Sequence, residues 1–509
     1  MLRLLLLFTL LPTLLQAITL DISKLGAKGD GLTLNTKIIQ NALDLATARG
    51  GTVVVPSGKY LTGTLFIKSN TTLRLEAGAI LLGSQNLKDY TAVRWGHHED
   101  RTPWHLIVAS GDNITLTGEG TIDGQGPAFW EPGRANEWAF FKEREQRPSP
   151  MIEMDNCHNV RVEGLTLQNS AGWTLHFLDC KRAQALNLRI YNTLFGPNTD
   201  GIDITGGEDI VISNCIIETG DDAIALKTTE DSGPLTFVTI SNCVLQSSCV
   251  ALRVGFESRK DFRHITVSNI VVKSASRIID LRTVEGANIE DVLFTNISGT
   301  TNSGWPINRV IEVDADAISN AYKIDIKEHP NYGKDKPVTK PGYIRNIRFD
   351  GLNIETDGRI MMGTKTSLIE NVTMRDIHLK YALIDPPNPI SAKPSSLGYF
   401  QAQPELRQAY AAFCFNNVRN VDLSGLTVEW PNYPVSPDWK LLKSNNRSFN
   451  GDYYTGKENA VTRGEGAPDF SVLWASQVQG GRIDIRGAQS SSAKAPRVVN
   501  QNSTFTLVE

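Results

Sequence analysis

Three aspartates in this chain are spaced for chemistry. Asp200 lies in Asn198-Thr199-Asp200-Gly201-Ile202-Asp203, and Asp221 and Asp222 lie in Gly220-Asp221-Asp222-Ala223-Ile224-Ala225-Leu226-Lys227. Ile202 and Ile204 alternate with Asp203 and Thr205, and Ile224 and Leu226 alternate with Ala225 and Lys227. Such alternation argues for short strands with one buried face. Matching the inward residues sets Asp200 beside Asp222, Asp203 beside Ala225 and Thr205 beside Lys227. Neighbouring strands lie ~4.8 Å apart, so Asp200 and Asp222 form a close carboxylate pair, while Asp221 points another way. Clustered carboxylates repel, and one of them keeps its proton near neutral pH. That is the equipment of general acid–base catalysis. Inverting glycosidases use one protonated carboxyl and one carboxylate that holds a water, typically ~6.5–9.5 Å apart. Aspartates are also common at turns, where they bond to their own backbone. That accounts for a lone Asp209 or Asp376 but not for three acids converging on adjacent strands.

The elements that position these acids repeat along the chain. Ile210-Val211-Ile212-Ser213-Asn214-Cys215-Ile216, Val238-Thr239-Ile240-Ser241-Asn242-Cys243-Val244 and Ile265-Thr266-Val267-Ser268-Asn269-Ile270-Val271 share one pattern, and further copies run from Val160 to Leu426. Asn214, Asn242, Asn269 and Asn296 stand 28, 27 and 27 residues apart. Asn and Gly tolerate left-handed backbone, so the break in each copy reads as a sharp bend between two strands. A two-strand unit of this period buries its inner face only by stacking on copies of itself. The expected fold is all-β, a single-stranded right-handed parallel β-helix. Propeller blades need a longer period, roughly 40 residues, and leucine-rich horseshoes need a leucine signature that is absent. Helical spacing over Asn35 to Ala48 predicts a cap for the first open sheet edge. Periodicity lapses over about Gln125 to Pro150, Asn302 to Gly342 and Tyr381 to Tyr410, which read as loop insertions. It weakens after Trp430, where Phe470 to Leu473 and Gly481 to Gly487 are candidates for last strands.

At 509 residues with a formal charge of -4, the chain lacks the basic excess of a nucleic-acid binder. Met1-Leu2-Arg3, the apolar run Leu4 to Leu15 and the small Ala17 have the layout of a cleavable signal, too short for a membrane span. Residues 1–17 are therefore expected to be a signal peptide and 18–509 the catalytic β-helix, secreted or periplasmic, without a membrane span and monomeric. Six cysteines, Cys157, Cys180, Cys215, Cys243, Cys249 and Cys414, form no CxxC pair, so neither a zinc site nor any other metal site is expected. Trp95-Gly96-His97-His98-Glu99-Asp100 and Trp130 are loop residues suited to walling a sugar cleft. The histidines lack ligand spacing.

The two aspartate motifs together resemble the paired signature of glycoside hydrolase family 28, the polygalacturonases. Leu25-Gly26-Ala27-Lys28-Gly29-Asp30-Gly31, Gly51 to Tyr60 and Gly118-Glu119-Gly120-Thr121-Ile122-Asp123-Gly124 resemble the entry coils of pectin-degrading β-helix enzymes more broadly. The resemblance implies an inverting hydrolase of α-glycosidic bonds in a pectic glycan, galacturonan- or rhamnogalacturonan-like, with no cofactor. It further implies Asp221 as general acid and Asp200 with Asp222 as the water-activating pair.

Two positions depart from that family. Where polygalacturonases carry Gly-His-Gly, this chain has Cys249-Val250-Ala251, and where they carry Arg-Ile-Lys, it has Asp280-Leu281-Arg282. Arg282 keeps one cation that the resemblance assigns to substrate, whereas Asp280 reverses the charge at the other position. Arg253 falls in line with Asp280, either as its ion-pair partner or as a replacement carboxylate ligand. Lys227 and Asp203 continue the catalytic strands and are expected to face substrate. Two rival readings use the same fold: a calcium-dependent polysaccharide lyase, and a non-catalytic glycan-binding β-helix.

Overall fold

The computed structural model describes residues 17–93, 102–130, 146–194, 196–301, 309–315, 340–356, 358–381, 405–406, 409–430 and 469–509. Its strands join in one continuous parallel ladder, from Ile18–Asp21 to Thr504–Val508. Each strand pairs with the equivalent strand of the next coil, as in Ile202–Thr205 on Ile224–Thr228 and then Val250–Ser258. This is the expected parallel β-helix. Inward side chains stack along the axis: Ile212, Ile240, Val267, Phe294, Phe349, Met374 and Leu423 form one fully buried file. No coil could bury that file alone, so the fold holds together by stacking.

The bends behave as the asparagine pattern predicts. Asn214, Asn242, Asn269 and Asn296 all have φ between 53° and 58°, a left-handed conformation that few other residues tolerate. Asn269 donates to Asn242 at 3.1 Å and Asn296 donates to Asn269 at 2.6 Å. The side-chain amides thus form a ladder parallel to the axis, and the same residue that permits the bend also ties one coil to the next.

The α-helix Thr36–Arg49 buries Ile39, Ala42, Leu43 and Ala46 against the first strands, Ile18–Asp21, Gly51–Val55, Leu65–Ile67 and Thr71–Leu75. It covers the edge that would otherwise expose unpaired backbone. At the other end, Ser471–Ser476 and Gln479–Asp484 supply the expected late strands, and Val498–Gln501 and Thr504–Val508 add two that the weakened pattern did not reveal. All six cysteines are buried free thiols. The expected signal segment through Gln16, the Trp95–Asp100 cluster and most of the three insertions lie outside the described residues. Trp130 is described, and its indole N–H donates to the Ala171 carbonyl at 2.9 Å.

Candidate active site

The three aspartates meet at the start of two adjacent strands. Ile202 pairs with Ile224, Asp203 with Ala225 and Thr205 with Lys227. The Gly201 amide donates to the Asp222 carbonyl at 2.9 Å, which carries the same register back to Asp200 and Asp222. Asp221 is held by its backbone: its carbonyl accepts hydroxyl bonds from Thr219 and Ser247, each 2.7 Å. Asp200 and Asp222 are buried, whereas Asp221 is partly exposed. One carboxylate oxygen of Asp221 and one of Asp222 lie within 4.8 Å of each other. The pair is therefore closer than the separation usual for an inverting acid and base.

Lys227 is the cationic centre of the first coil. Its ammonium lies 3.2 Å from Asp203, 3.8 Å from Asp200 and 3.7 Å from Glu257, and it sits 3.8 Å above the centre of the Trp173 indole. One ammonium cannot neutralise three buried carboxylates, so protons must be retained. Burial pushes Asp200 well above the usual carboxylate range, and Asp203 and Asp221 add to the shift against the pull of Lys227. Burial also raises Asp203, to about 8, despite Lys227. Burial alone would lower Lys227, but Glu257, Asp203, Asp200 and Asp222 together hold it well above its ordinary value. Lys227, expected to face substrate, is thus 4% exposed and surrounded by acids.

Arg253 organises the second half. Its Nε and Nη2 face the two oxygens of Asp222, the latter at 3.2 Å, and Nη1 reaches Asp280 at 2.9 Å. Asp280 also takes Arg282 Nε at 2.7 Å. Arg282 and Arg277 then share Glu312, at 2.9 and 3.0 Å. Asp280 and Arg282 are buried, and Arg253 nearly so. Of the two readings left open for Arg253, the ion pair with Asp280 is the one found, deep in the site and with Asp222 as a second partner. Its fork is filled by protein carboxylates.

Asp221, Asp222 and Cys249 form the one set of potential metal ligands among the described residues. The Arg253 guanidinium already supplies the positive charge there, with Nη2 3.8 Å from the Cys249 sulfur. Burial pushes that thiol well up, with Asp221 and Asp222 adding to the shift.

Several residues of the site were not read from the sequence. Glu257 reaches Lys227 because the strand pairing slips: Leu226 faces Val254, yet Thr228 faces Ser258. The strand holds two extra residues there, and this bulge brings Glu257 to Lys227. Glu312 enters from a strand beyond Arg282. His176 bonds Glu153 at 2.9 Å and Thr205 at 2.8 Å, and meets the Trp173 ring edge-on at 5.2 Å. It thereby steadies the ring on which Lys227 rests.

Comparison with known proteins decides the family. The model for glycosyl hydrolases family 28 matches residues 48–393. The chain belongs to glycosyl hydrolase family 28. It is a glycoside hydrolase by that membership. It is 28% identical over 380 residues to an exopolygalacturonase of Zea mays, covering 71% of this chain and 83% of the relative. An exo-poly-alpha-D-galacturonosidase of Dickeya chrysanthemi is 29% identical over 249 residues, covering 40% and 41%. The fold is shared with the family 28 exopolygalacturonase of Yersinia enterocolitica, with a TM-score of 0.62, 20% identity and coverage of 82% and 76%. It is likewise shared with the exopolygalacturonase of Thermotoga maritima, with a TM-score of 0.60, 21% identity and coverage of 72% and 88%. Of the positions that depart from the family pattern, Val250 begins the strand that carries Arg253, and Asp280 faces Arg253 from the next strand. Among the described residues no helix is long and apolar enough to cross a membrane.

Proposed function

We propose that this family 28 chain hydrolyses α-linked galacturonan or a related pectic glycan with inversion, using Asp221 as general acid and Asp200 with Asp222 to activate water. The observation that carries this reading is the stacked pair Asp200 and Asp222 with the partly exposed Asp221 beside them. Asp221 is the acid that a leaving oxygen reaches from solvent. Arg253 engages both oxygens of Asp222, and burial pushes the neighbouring Asp200 well above the usual carboxylate range, so the two together can orient a water. One oxygen of Asp221 and one of Asp222 approach within 4.8 Å, nearer than the usual inverting separation. Inversion is favoured by the Arg253 fork: a carboxylate engaged through both oxygens is a poor nucleophile, yet each oxygen keeps a lone pair for a water proton.

The names of the maize and Yersinia relatives support galacturonate units released from a chain end. We further propose that residues 1–17 are removed on secretion, that 18–509 act as one catalytic unit, and that the enzyme is a monomer working on polysaccharide outside the cytoplasm. Arg253, Lys227, Arg282 and Asp203 then shape the site from beneath the substrate.

The test is incubation with homogalacturonan, rhamnogalacturonan and neutral pectic fractions, with and without chelator, following reducing ends and unsaturated uronate together. Reducing ends without unsaturated product, indifferent to chelator, are expected on a galacturonate-containing fraction. Unsaturated product abolished by chelator would replace hydrolysis with elimination.

A further inference from the structure

The outward file of the catalytic sheet changes character along the axis. It runs Asp203, Ala225, Arg253, Asp280, Glu312, and then Met361, Cys414, Trp474 and Val499, each beside the next. The charged stretch ends at Glu312. Beyond it, Met361, Cys414 and Trp474 pack with Leu406, Ala409 and Ala411 in a small apolar cluster of their own, separate from the core. All six side chains are buried, Trp474 being the most exposed of them at 7%.

A cavity of about 440 Å³ opens over this patch, lined among others by Trp474, Tyr410, Lys494, Asp469, Glu405 and Gln501. Tyr410 is 45% exposed and is fixed edge-on to Phe470 at 5.6 Å. Phe470 in turn neighbours Trp430, which stacks on Tyr381 at 4.6 Å. Tyr410 is therefore anchored to a row of packed aromatic rings while it lines the cavity. An apolar aromatic floor with a few polar groups at the rim is the general form of a small-ligand site.

We propose that this cavity is a distal saccharide subsite that takes a neutral, hydroxyl-rich sugar of the same glycan, its apolar face against Tyr410 and Trp474. The substrate part of this inference rests on the pectic reading above. Position supports it: the cavity lies on the catalytic face, six strand steps past the Asp222 coil, or roughly 29 Å along the axis. A glycan laid along the sheet therefore reaches it only when several units long. Charge selects the class. Glu405 and Asp469 stand against one Lys494, so a uronate is repelled, while carboxylates accept bonds from sugar hydroxyls.

The experiment uses the full-length mature chain carrying Asp221→Asn, so that nothing is consumed during titration. Galacto-, arabino- and rhamno-oligosaccharides and an oligogalacturonate are titrated by calorimetry into this protein and into versions also carrying Tyr410→Ala or Trp474→Ala. At least one neutral oligosaccharide is expected to bind, with affinity reduced at least tenfold by Tyr410→Ala. Tyr410 is exposed, so its loss leaves the fold intact even where Trp474→Ala unfolds the last coils. In the otherwise wild-type enzyme, Tyr410→Ala is expected to raise KM for long substrates and leave turnover of short ones unchanged. Absence of binding by every neutral oligosaccharide, or binding indifferent to Tyr410, overturns the subsite. Tyr410-dependent binding by a chain that degrades no pectic fraction would uphold the subsite and sink the catalytic reading instead.

Discussion

Arg253 grips Asp222 through two nitrogens and extends its third to Asp280. A candidate catalytic carboxylate is therefore held by a cation that a second buried carboxylate holds in turn. Removing Arg253 leaves Asp222 buried without its cation, while Asp280 keeps Arg282, a loss of about 3–5 kcal/mol by analogy with other broken buried pairs. It also frees the Asp222 side chain to rotate. Arg253→Met is expected to lower kcat by about 10²-fold, with KM changed less, and to lower the melting temperature. Arg253→Lys, which keeps charge but not the fork, should recover stability more than rate. Wild-type kcat in both variants would show that the fork has no part in the reaction.

The Arg253–Asp280 pair reverses the charge of the family pattern, so its members should act as a unit. Asp280→Asn with Arg253→Met is expected to be less damaging than the two single losses combined, with a coupling of about 0.5–3 kcal/mol. Thermal denaturation of the four proteins measures it. Simple additivity would separate the two residues.

Asp203 keeps its proton to about pH 8, whereas an unfolded aspartate releases it near 4. Between those values the folded chain binds more protons than the unfolded one, so stability falls as pH rises. The contribution is fully present below about pH 4 and lost on passing about pH 8. Asp200, also raised by burial, acts in the same direction. Melting temperatures are expected to decline over this window, and Asp203→Asn, which cannot ionise, should flatten the decline. A slope unchanged in that variant would assign the pH dependence elsewhere.

The asparagine ladder predicts an asymmetry between two substitutions. Asn269→Ala loses two amide bonds and leaves at φ 56° a side chain without the amide that makes this conformation tolerable, at a cost of about 2 kcal/mol. Asn269→Gly loses the bonds but not the conformation and should cost about half as much. Equal effects would mean that the bend is not the source of the preference.

The stereochemistry follows from the same site. Proton NMR of early product is expected to show the anomer opposite to the substrate linkage. Product of unchanged anomeric form would make Asp222 or Asp200 a nucleophile and fit the short distance to Asp221 instead.

Much of this was legible in the sequence because the solenoid converts spacing directly into neighbourhood. Once the inward residues were matched, Asp203 had to face Ala225, and Arg253 had to face Asp280, as they do. What was lost is what breaks the period. Glu257 arrives through an irregular bulge, and no alternation marks it. Glu312 lies within the Asn302–Gly342 stretch that was read as a loop insertion but holds the strand Arg309–Asp314, and coil counting stops there. The saturation of Lys227 and Arg253 was equally hidden, since register gives adjacency but not how many acids share one cation. His176 sits on the outward file two coils before Ala225, and a polar residue in that file was the signal that could have revealed it.

The central claim is that the aspartate cluster performs glycosidic hydrolysis, and Asp221→Asn tests it most directly. The substitution keeps the shape and both backbone hydroxyl bonds but removes the proton. With the fold verified by circular dichroism, release of reducing ends from galacturonan is expected to fall by about 10²–10⁴-fold. Activity within a few-fold of wild type would contradict the account and move the acid to another residue.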